Sequence, residues 1–475
     1  MNDNYNNTVA EIRKRIKINI NYDISEKNMS IESKHISIFY VNSLVDKKII
    51  SKVCKTLLEL DEKISKLNFT KLDIITIVKK DIEYLENRLE HDTNSVINEI
   101  YIGKIALVVE GEKEIIIIDA KNYPTRTPEE SPNEISIRKS RDGFVEDINV
   151  NTALIRRRIN DESLIIEKIT VGKKSKVLIG ICYIDSLADK NIVEKIKNQL
   201  SDSDINFLTI THKDVKRILF KNKLNTLPYS KTVETPEVLA SELARGYIGL
   251  LVDNSPNTLV VPITFFDIIT SLQQNEDTPI IRVASRILEI LSFIIYSNLI
   301  PLWMYYSSND HIVPEKLKFL FVSSEEYYLP VFFQTVVAII IYKLLNLATF
   351  NAPKVLRATI ILSATILLSS VGVEAKIIAP QVVFFVGLLA LIINSVKTRE
   401  LQTTIGTYVW IGLVVVFITG KLGLIALITL NILTLIFIAT RKVYGIPYMY
   451  PLVPLNFNKL KRYFSIFAEY NTSSL

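Results

Sequence analysis

The chain has 475 residues, of which 48% are hydrophobic, and a formal net charge of +6 at pH 7. Residues 1–285 hold 41 basic and 42 acidic side chains, whereas residues 286–475 hold 15 and 8. The first part has no basic excess of the kind that binds nucleic acid, so we expect no nucleic-acid partner.

Few side chains in this sequence are placed for catalysis or metal binding. Two cysteines, Cys54 and Cys182, are too few for a disulfide framework, and the four histidines lack the spacing of metal ligands. Because no nucleophile and base pair and no cofactor motif is visible, we predict no catalytic, cofactor-binding or metal site and no enzymatic activity. Residues 1–21 are polar and lack the apolar segment of a signal peptide.

The first part of the chain contains a repeated pattern. Residues 1–29 are rich in asparagine and charge, and we expect a partly ordered lead-in there. Residues 34–57 and 177–200 then each predict an apolar strand, a short polar turn and an amphipathic helix. Tyr40 and Tyr183 are 143 positions apart, and so are Asp46 and Asp189.

The same separation recurs further along the chain. Gly103 and Gly246 begin two stretches that each predict a strand, a tight turn and a second strand, which is a hairpin signal. Two matches at one separation predict a tandem duplication of an α/β unit. We therefore expect a cytoplasmic region of two repeated α/β subdomains, at residues 30–134 and 161–275.

Each repeat places an aspartate, Asp46 or Asp189, where its helix begins. A carboxylate at the carboxyl end of a strand is where α/β folds bind ligands. A carboxylate at a helix N-terminus also caps the helix, which contributes about 0.5–2 kcal/mol. We favour the cap.

Residues 135–160 predict a helix that connects the two subdomains. A helix that begins near Gly143 would end on Arg156, Arg157 and Arg158 beside the negative end of its dipole. Consecutive residues point about 100° apart around a helix, so these arginines cannot form one anion site. We predict contacts between subdomains or between subunits for all three.

Residues 286–440 contain six long apolar runs separated by short polar breaks. A helical crossing needs about 20 mostly apolar residues. Four runs, 287–306, 378–396, 404–419 and 422–440, meet or approach this length without a charged residue except Glu289. The runs at 329–350 and 358–373 are weaker, and re-entrant segments are the alternative for either. We predict an α-helical polytopic membrane domain of five or six spans.

The positions of Lys and Arg predict the orientation of the spans. With six spans, the basic residues lie mainly in alternate short loops and in the tail at 441–475. Basic residues are retained on the cytoplasmic side. Both ends of the chain are therefore expected in the cytoplasm.

Several ionisable and hydroxyl side chains lie inside these runs. Arg286 and Glu289 are three positions apart, so we predict an intramembrane ion pair on one helical face. Lys343 lies late in its run, where its side chain would reach the inner interface.

Four residues of the third run are spaced by four, seven and four positions, and we call them the polar stripe: Thr359, Ser363, Ser370 and Glu374. In one continuous helix they share a face. Hydroxyls that end in a carboxylate are suited to line a cation path. Small and hydroxyl residues also allow close helix packing in lipid, which is the alternative interpretation.

Longer motifs carry a resemblance to a known family. They are RDGFVEDINVNTALIRRRI at 141–159, ICYIDSLAD at 181–189, VDNSPNTLVVPITFF at 252–266 and YGIPYMYPLVPLNF at 444–457. Over about residues 20–464 the chain resembles the A-subunit (GerA) family of bacterial spore germination receptors. FYVNSLVD, DAKNYPTRTPEESP and VNTALIRRR are most similar to its stage V sporulation branch.

This resemblance implies a multi-pass protein of the spore inner membrane. It implies a homo-oligomer, a ring such as a pentamer, that forms a gated pore for monovalent cations in the lipid bilayer. Other germination membrane proteins are the implied partners. A non-conducting scaffold that assembles those proteins is the alternative, and a secondary transporter is disfavoured because no inverted repeat is evident.

Overall fold

The computed structural model describes eleven segments of the chain, residues 2–31, 34–67, 86–124, 143–209, 211–220, 227–269, 279–323, 325–353, 356–366, 370–395 and 399–464. They form two compact units. We call residues Met1–Asn222 with Ser230–Pro262 the sheet unit, and residues Lys223–Tyr229 with Ile263–Glu469 the helical unit.

The sheet unit begins with a five-stranded antiparallel sheet and its helices. These elements are α1 (Asn2–Ile16), β1 (Ile24–Ile31), β2 (Lys34–Val41), α2 (Lys47–Leu67), β3 (Asn87–Glu90), α3 (Thr93–Tyr101), β4 (Lys104–Val109) and β5 (Ile115–Asp119). The strand order is β1-β2-β4-β5-β3. Alternate residues of β2 point to opposite faces, so Ile38 packs under α2 while Phe39 packs under α1 and α3.

A connecting helix and a second five-stranded antiparallel sheet follow. The elements are α4 (Ile148–Arg158), β6 (Leu164–Val171), β7 (Val177–Ile184), α5 (Lys190–Ser201), α6 (Thr211–Leu219), β8 (Lys231–Val233), α7 (Pro236–Ala244), β9 (Ile248–Val252) and β10 (Thr258–Val261). The order β6-β7-β9-β10-β8 matches that of the first sheet strand for strand.

The α/β fold and both hairpins predicted from the sequence are confirmed. β4 pairs with β5, and β9 pairs with β10, in antiparallel register. Gly103 and Gly246 precede the two hairpins with φ of +89° and +88°, a left-handed conformation that only glycine adopts easily. The predicted caps are also present, since Asp46 accepts a hydrogen bond from the Lys48 amide and Asp189 from the Asn191 amide.

Two predictions about the sheet unit need correction. The expected lead-in at 1–29 contains α1 and β1, and Val9, Ile12 and Ile16 of α1 are buried in the core. The connecting helix begins at Ile148 instead of near Gly143, because the Asp147 carboxylate caps it through the Asn149 amide. Residues 125–142 lie outside the described part of the chain.

The helical unit consists of long apolar helices and a short C-terminal hairpin. Its elements are α8 (Phe265–Ile269), α9 (Pro279–Ser308), α10 (Lys318–Phe321), α11 (Val331–Asn351), α12 (Arg357–Ile366), α13 (Gly372–Glu374), α14 (Pro380–Ser395), α15 (Arg399–Thr419), α16 (Gly423–Thr440), β11 (Lys442–Val443), β12 (Ile446–Pro447) and α17 (Phe457–Phe464). Among the described residues, three stretches are long and apolar enough to cross a bilayer, namely Val283–Ser308, Val331–Thr349 and Leu401–Thr440.

The third of these stretches is folded back on itself. A 3₁₀ turn at Gly420–Leu422 separates α15 from α16, and Gly412 of α15 lies close to Leu427 of α16. α9 runs in the same direction as α15, because Gly412 also lies close to Pro301, while Tyr305 donates a hydrogen bond of 3.3 Å to the Lys421 carbonyl.

α11 and α14 begin at the end of the unit where α9 finishes. Gln334 in the first turn of α11 accepts a hydrogen bond of 2.8 Å from the Ala379 amide just before α14. Trp303 near the end of α9 stacks on Phe385 near the start of α14. The chain therefore enters the helical unit before α9 and leaves it after α16 at the same end.

Candidate functional site

The first half of the predicted polar stripe lies on α12. This helix packs against α11. Thr359 and Ser363 are one turn apart and both are exposed. No part of the described chain covers them, so this face of α12 is open on a single copy.

The second half of the stripe follows residues 367–369, which lie outside the described chain. Ser370 lies in a π-helical turn, is half-buried, and donates a hydrogen bond of 2.6 Å to the Ile366 carbonyl. Glu374 is exposed at the end of α13. The alignment of all four side chains stays a prediction.

The other intramembrane side chains lie on α9 and α11. Arg286 and Glu289 are both half-buried and each has an interaction partner, but their predicted mutual pairing stays a prediction. The Lys343 ammonium lies over the Trp410 ring, 5.3 Å from its centroid. This cation–π contact joins α11 to α15 and gives the charge a partner.

Arg156 lies at the centre of the sheet unit and is completely buried. Its guanidinium makes two hydrogen bonds of 3.0 Å to the Asp23 carboxylate. It also donates to the side chain of Asn21 at 2.9 Å and to the carbonyl of Leu164 in β6 at 2.8 Å. The Tyr101 ring of α3 lies beneath it, 5.4 Å away. Arg156 therefore joins elements of the first sheet to a strand of the second.

The charge state of Arg156 is fixed by this arrangement. Burial disfavours the charged guanidinium, but the Asp23 carboxylate outweighs burial and holds the pKa of Arg156 above its ordinary value. A buried Arg–Asp pair with bidentate geometry satisfies both charges. The structure indicates a permanent ionic link between the two halves of the sheet unit.

The three arginines predicted to act alike have separate environments. Arg157 is exposed and lies over the Tyr123 ring, 5.4 Å from its centroid. Arg158 is half-buried and donates to the Leu154 carbonyl one turn earlier. Of the three, Arg156 is the one that bridges the sheets, and contacts between subunits stay a prediction for the others.

Sequence reasoning missed the partners of Arg156 and one polar contact between helices. Asn21 and Asp23 lie in a stretch that was expected to be a lead-in, and neither carries a recognisable motif. Asn431 of α16 donates to the Asn298 side chain of α9 at 2.7 Å, near the middle of both helices. The sequence signal for this contact was that each of the two apolar runs contains a single asparagine, which could have predicted a polar contact between the helices. Among the described residues there is no cluster of His, Cys, Asp or Glu that could hold a metal ion.

An α/β unit followed by apolar helices defines a multi-pass membrane protein with a large folded domain outside the bilayer. The family described as Bacillus/Clostridium GerA spore germination protein matches residues 10–470, so the chain belongs to the GerA spore germination family. The family predicted from the motifs is thus confirmed.

Curated relatives agree with this assignment. The chain is 27% identical to stage V sporulation protein AF of Bacillus subtilis, over 94% of this chain and 88% of the relative. It is 23% identical to spore germination protein KA of Bacillus subtilis, over 95% of this chain and 82% of the relative. Both relatives are named as sporulation or spore germination proteins.

One solved structure is also similar. It is the N-terminal domain of the A subunit of a Bacillus megaterium spore germinant receptor, with 21% sequence identity and a TM-score of 0.42. The match covers 54% of this chain and 94% of that domain.

Proposed function

We propose that this protein is the pore-forming subunit of a gated channel for monovalent cations in the spore inner membrane. Several copies form a ring, and α12 of each copy faces the central axis. A nutrient or a neighbouring germination protein shifts the population between closed and open states.

The exposed polar face of α12 carries this proposal. Thr359 and Ser363 are both exposed on α12, whose main packing partner among the described helices is α11. Polar groups that face hydrocarbon without a partner are unfavourable, so this face needs either water or another protein. A ring of copies supplies water on its axis and places a polar face from every copy there.

Six crossings are the arrangement that the helix directions support. After α11 the chain turns and runs back through α12 and α13, and Lys376 beyond α13 pairs with Glu325 before α11 at 3.4 Å. The described parts of residues 357–374 therefore lie between the two ends of α11, in the reverse direction. With α9, α11, α14, α15 and α16 this makes six. We place both ends in the cytoplasm, because Arg441 and Lys442 follow α16 on the side where the chain enters.

We also propose that the sheet unit is a duplicated scaffold that gathers the copies. The support is the shared strand order of its two sheets, together with β2 and β7 that match at the constant separation of 143 residues. Duplication explains why Gly103 and Gly246 share one unusual conformation.

A non-conducting scaffold is the second candidate. The observation in its favour is that Ser370 satisfies its hydroxyl within its own helix, through the Ile366 carbonyl. A hydroxyl satisfied in this way can pack against a neighbouring helix without any water.

Cysteine accessibility in the full-length chain separates the two candidates. In a Cys54→Ser background, with Cys182 buried, Ser363→Cys and Leu362→Cys are each treated with a charged, water-soluble thiol reagent in liposomes. Leu362 is a matched control, because it is 62% exposed on the same helix but about 100° away. A channel predicts that position 363 reacts and position 362 does not. Protection of both supports the scaffold.

The oligomeric mass of the detergent-purified protein tests the ring. Five or another small number of copies agrees with the proposal. A monomer contradicts it, because one copy contributes one such face and cannot enclose a path.

A further inference from the structure

The segment that follows the last apolar helix presents a row of exposed apolar side chains. Leu452, Val453, Leu455 and Phe457 are 38%, 42%, 53% and 72% exposed. They lie within six consecutive residues, so they form one patch instead of isolated surface positions. We call residues 452–464 the tail surface.

The tail surface is held in place by buried residues just before it. Tyr448 is 1% and Met449 is 7% exposed. The Tyr448 carbonyl accepts a hydrogen bond of 2.9 Å from the Phe265 amide, and the Tyr448 ring meets the Tyr229 ring edge-on at 5.5 Å. The amides of Leu452 and Val453 both donate hydrogen bonds to the Met449 carbonyl. The patch therefore lies on a turn that is anchored to the helical unit.

The charges around this patch are all of one sign. From residue 441 to residue 464 the sequence contains five basic residues, Arg441, Lys442, Lys459, Lys461 and Arg462, and no acidic residue. A basic, apolar segment directly after a membrane helix is the pattern that binds an anionic lipid surface.

α17 divides these properties between two faces. By helical spacing of the sequence, positions 457, 460 and 464 (Phe, Leu, Phe) share one side, whereas positions 459 and 462 (Lys, Arg) fall on the other. A short helix of this kind lies in the plane of a membrane interface with its apolar side down. The Lys459 ammonium lies over the Tyr450 ring, 5.2 Å from its centroid, and this contact joins α17 to the turn before it.

We propose that the tail surface binds the chain's own bilayer, with its apolar side chains at the acyl boundary and its basic side chains on anionic phospholipid headgroups. The occupant is lipid because the surface lies close in sequence to α16, which ends at Thr440, and because its charge is complementary to an anionic leaflet. This interaction is independent of ion conduction and holds for a channel and for a scaffold alike.

The test uses the full-length chain in nanodiscs with an environment-sensitive fluorophore on Leu455→Cys, in the Cys54→Ser background. Nanodiscs contain phosphatidylcholine alone or phosphatidylcholine with phosphatidylglycerol. Quenching by a lipid with a spin label near the headgroup is compared with quenching by aqueous iodide. We expect lipid quenching to exceed iodide quenching, and phosphatidylglycerol to increase it.

Charge reversal isolates the anionic contribution. Each basic side chain near an anionic surface gives a roughly five-fold gain in association, so Lys459→Glu with Lys461→Glu and Arg462→Glu should remove the phosphatidylglycerol effect. Lys421→Glu is the matched control, because this exposed lysine lies at the opposite end of α16, and it should change nothing.

Three results would overturn the proposal. Iodide quenching without lipid quenching means that the tail surface faces water. Protection from both quenchers means that protein covers it. Lipid quenching that is the same with and without phosphatidylglycerol refutes the anionic recognition.

Discussion

The sheet unit and the helical unit place their polar groups in opposite ways. Arg156 and Asp23 lie in the core of the sheet unit, 0% and 2% exposed, and satisfy one another. Thr359, Ser363 and Glu374 of the helical unit are exposed, on helices whose other surfaces are apolar. The sheet unit satisfies these buried charges within one copy, whereas the exposed polar side chains of the helical unit need something outside it, such as lipid headgroups, water or further copies.

The largest expected effect concerns the buried ion pair of the sheet unit. Asp23→Ala leaves the Arg156 guanidinium buried without its carboxylate, which costs about 3–5 kcal/mol. We expect a matching loss in the free energy of unfolding, measured on the detergent-solubilised chain by hydrogen exchange of β1 and β6.

Asp204→Ala is the matched control for Asp23→Ala. Asp204 and its partner Lys173 are 83% and 65% exposed, and such surface pairs contribute about 0–1 kcal/mol. Equal effects of the two substitutions would contradict the distinction between a core ion pair and surface charges.

The second effect concerns packing in the helical unit. A Cβ atom at Gly412 would lie 2.9 Å from Cγ of Pro301 and 3.4 Å from Cδ1 of Leu427, so Gly412→Ala forces α15 away from its neighbours. We expect a destabilisation of about 1–3 kcal/mol, seen as a lower melting temperature in detergent.

Gly387→Ala is the matched control for Gly412→Ala, and the melting temperatures of the two variants are compared. No atom lies within 4 Å of a Cβ added at Gly387, and alanine favours a helix by about 1 kcal/mol over glycine. This variant should melt at the same temperature or higher. A stable Gly412→Ala variant would show that α9, α15 and α16 are not closely packed.

The third prediction concerns the phenol beneath Arg156. Tyr101 is 1% exposed, its buried hydroxyl has no hydrogen-bond partner among the described residues, and burial raises the pKa of Tyr101 to about 12. An unfolded tyrosine ionises near pH 10. Between these two pKa values the phenol is protonated in the folded state and ionised in the unfolded state. The free energy of unfolding therefore falls as the pH rises from about 10 to about 12.

Tyr101→Phe removes this contribution. The variant should match the wild type within about 1 kcal/mol at pH 7 and should lose less stability between pH 9 and pH 12. Unfolding by denaturant at several pH values tests both points. Parallel pH profiles for the two proteins would show that Tyr101 ionises as readily in the fold as outside it.

Sequence periodicity predicted most of the sheet unit and less of the candidate site. Alternating apolar residues and tight turns predicted β2, β7 and both hairpins, because these signals are local. α1 was missed because asparagines fill its first half and charged residues flank its buried side chains Ile12 and Ile16. The Arg156–Asp23 pair joins residues 133 positions apart, and no local pattern encodes such a distance.

The helical unit shows a different limit. The apolar runs predicted its helices well, but the polar stripe assumed one regular helix from residue 358 to residue 373. Ser370 lies in a π-helical turn, and a turn of this kind shifts the angular register of the residues after it, which a regular spacing of 3.6 residues per turn does not anticipate.

The smallest expected effect on stability is that of Ser363→Ala, which tests whether this residue acts in conduction without contributing to the fold. Ser363→Ala alters an exposed hydroxyl, and surface substitutions change stability by no more than about 0.5 kcal/mol. We expect unchanged melting but a changed cation conductance. A lower melting temperature would mean that Ser363 packs within its own copy.

The most direct test of the channel is cation flux through liposomes that contain the assembled oligomer, with Glu374→Gln as the variant and an empty liposome as the control. The account predicts that potassium or sodium passes through the wild type and that Glu374→Gln changes the rate or the selectivity. Correctly assembled oligomers in liposomes that stay tight to both ions, with and without a partner germination protein, would contradict it.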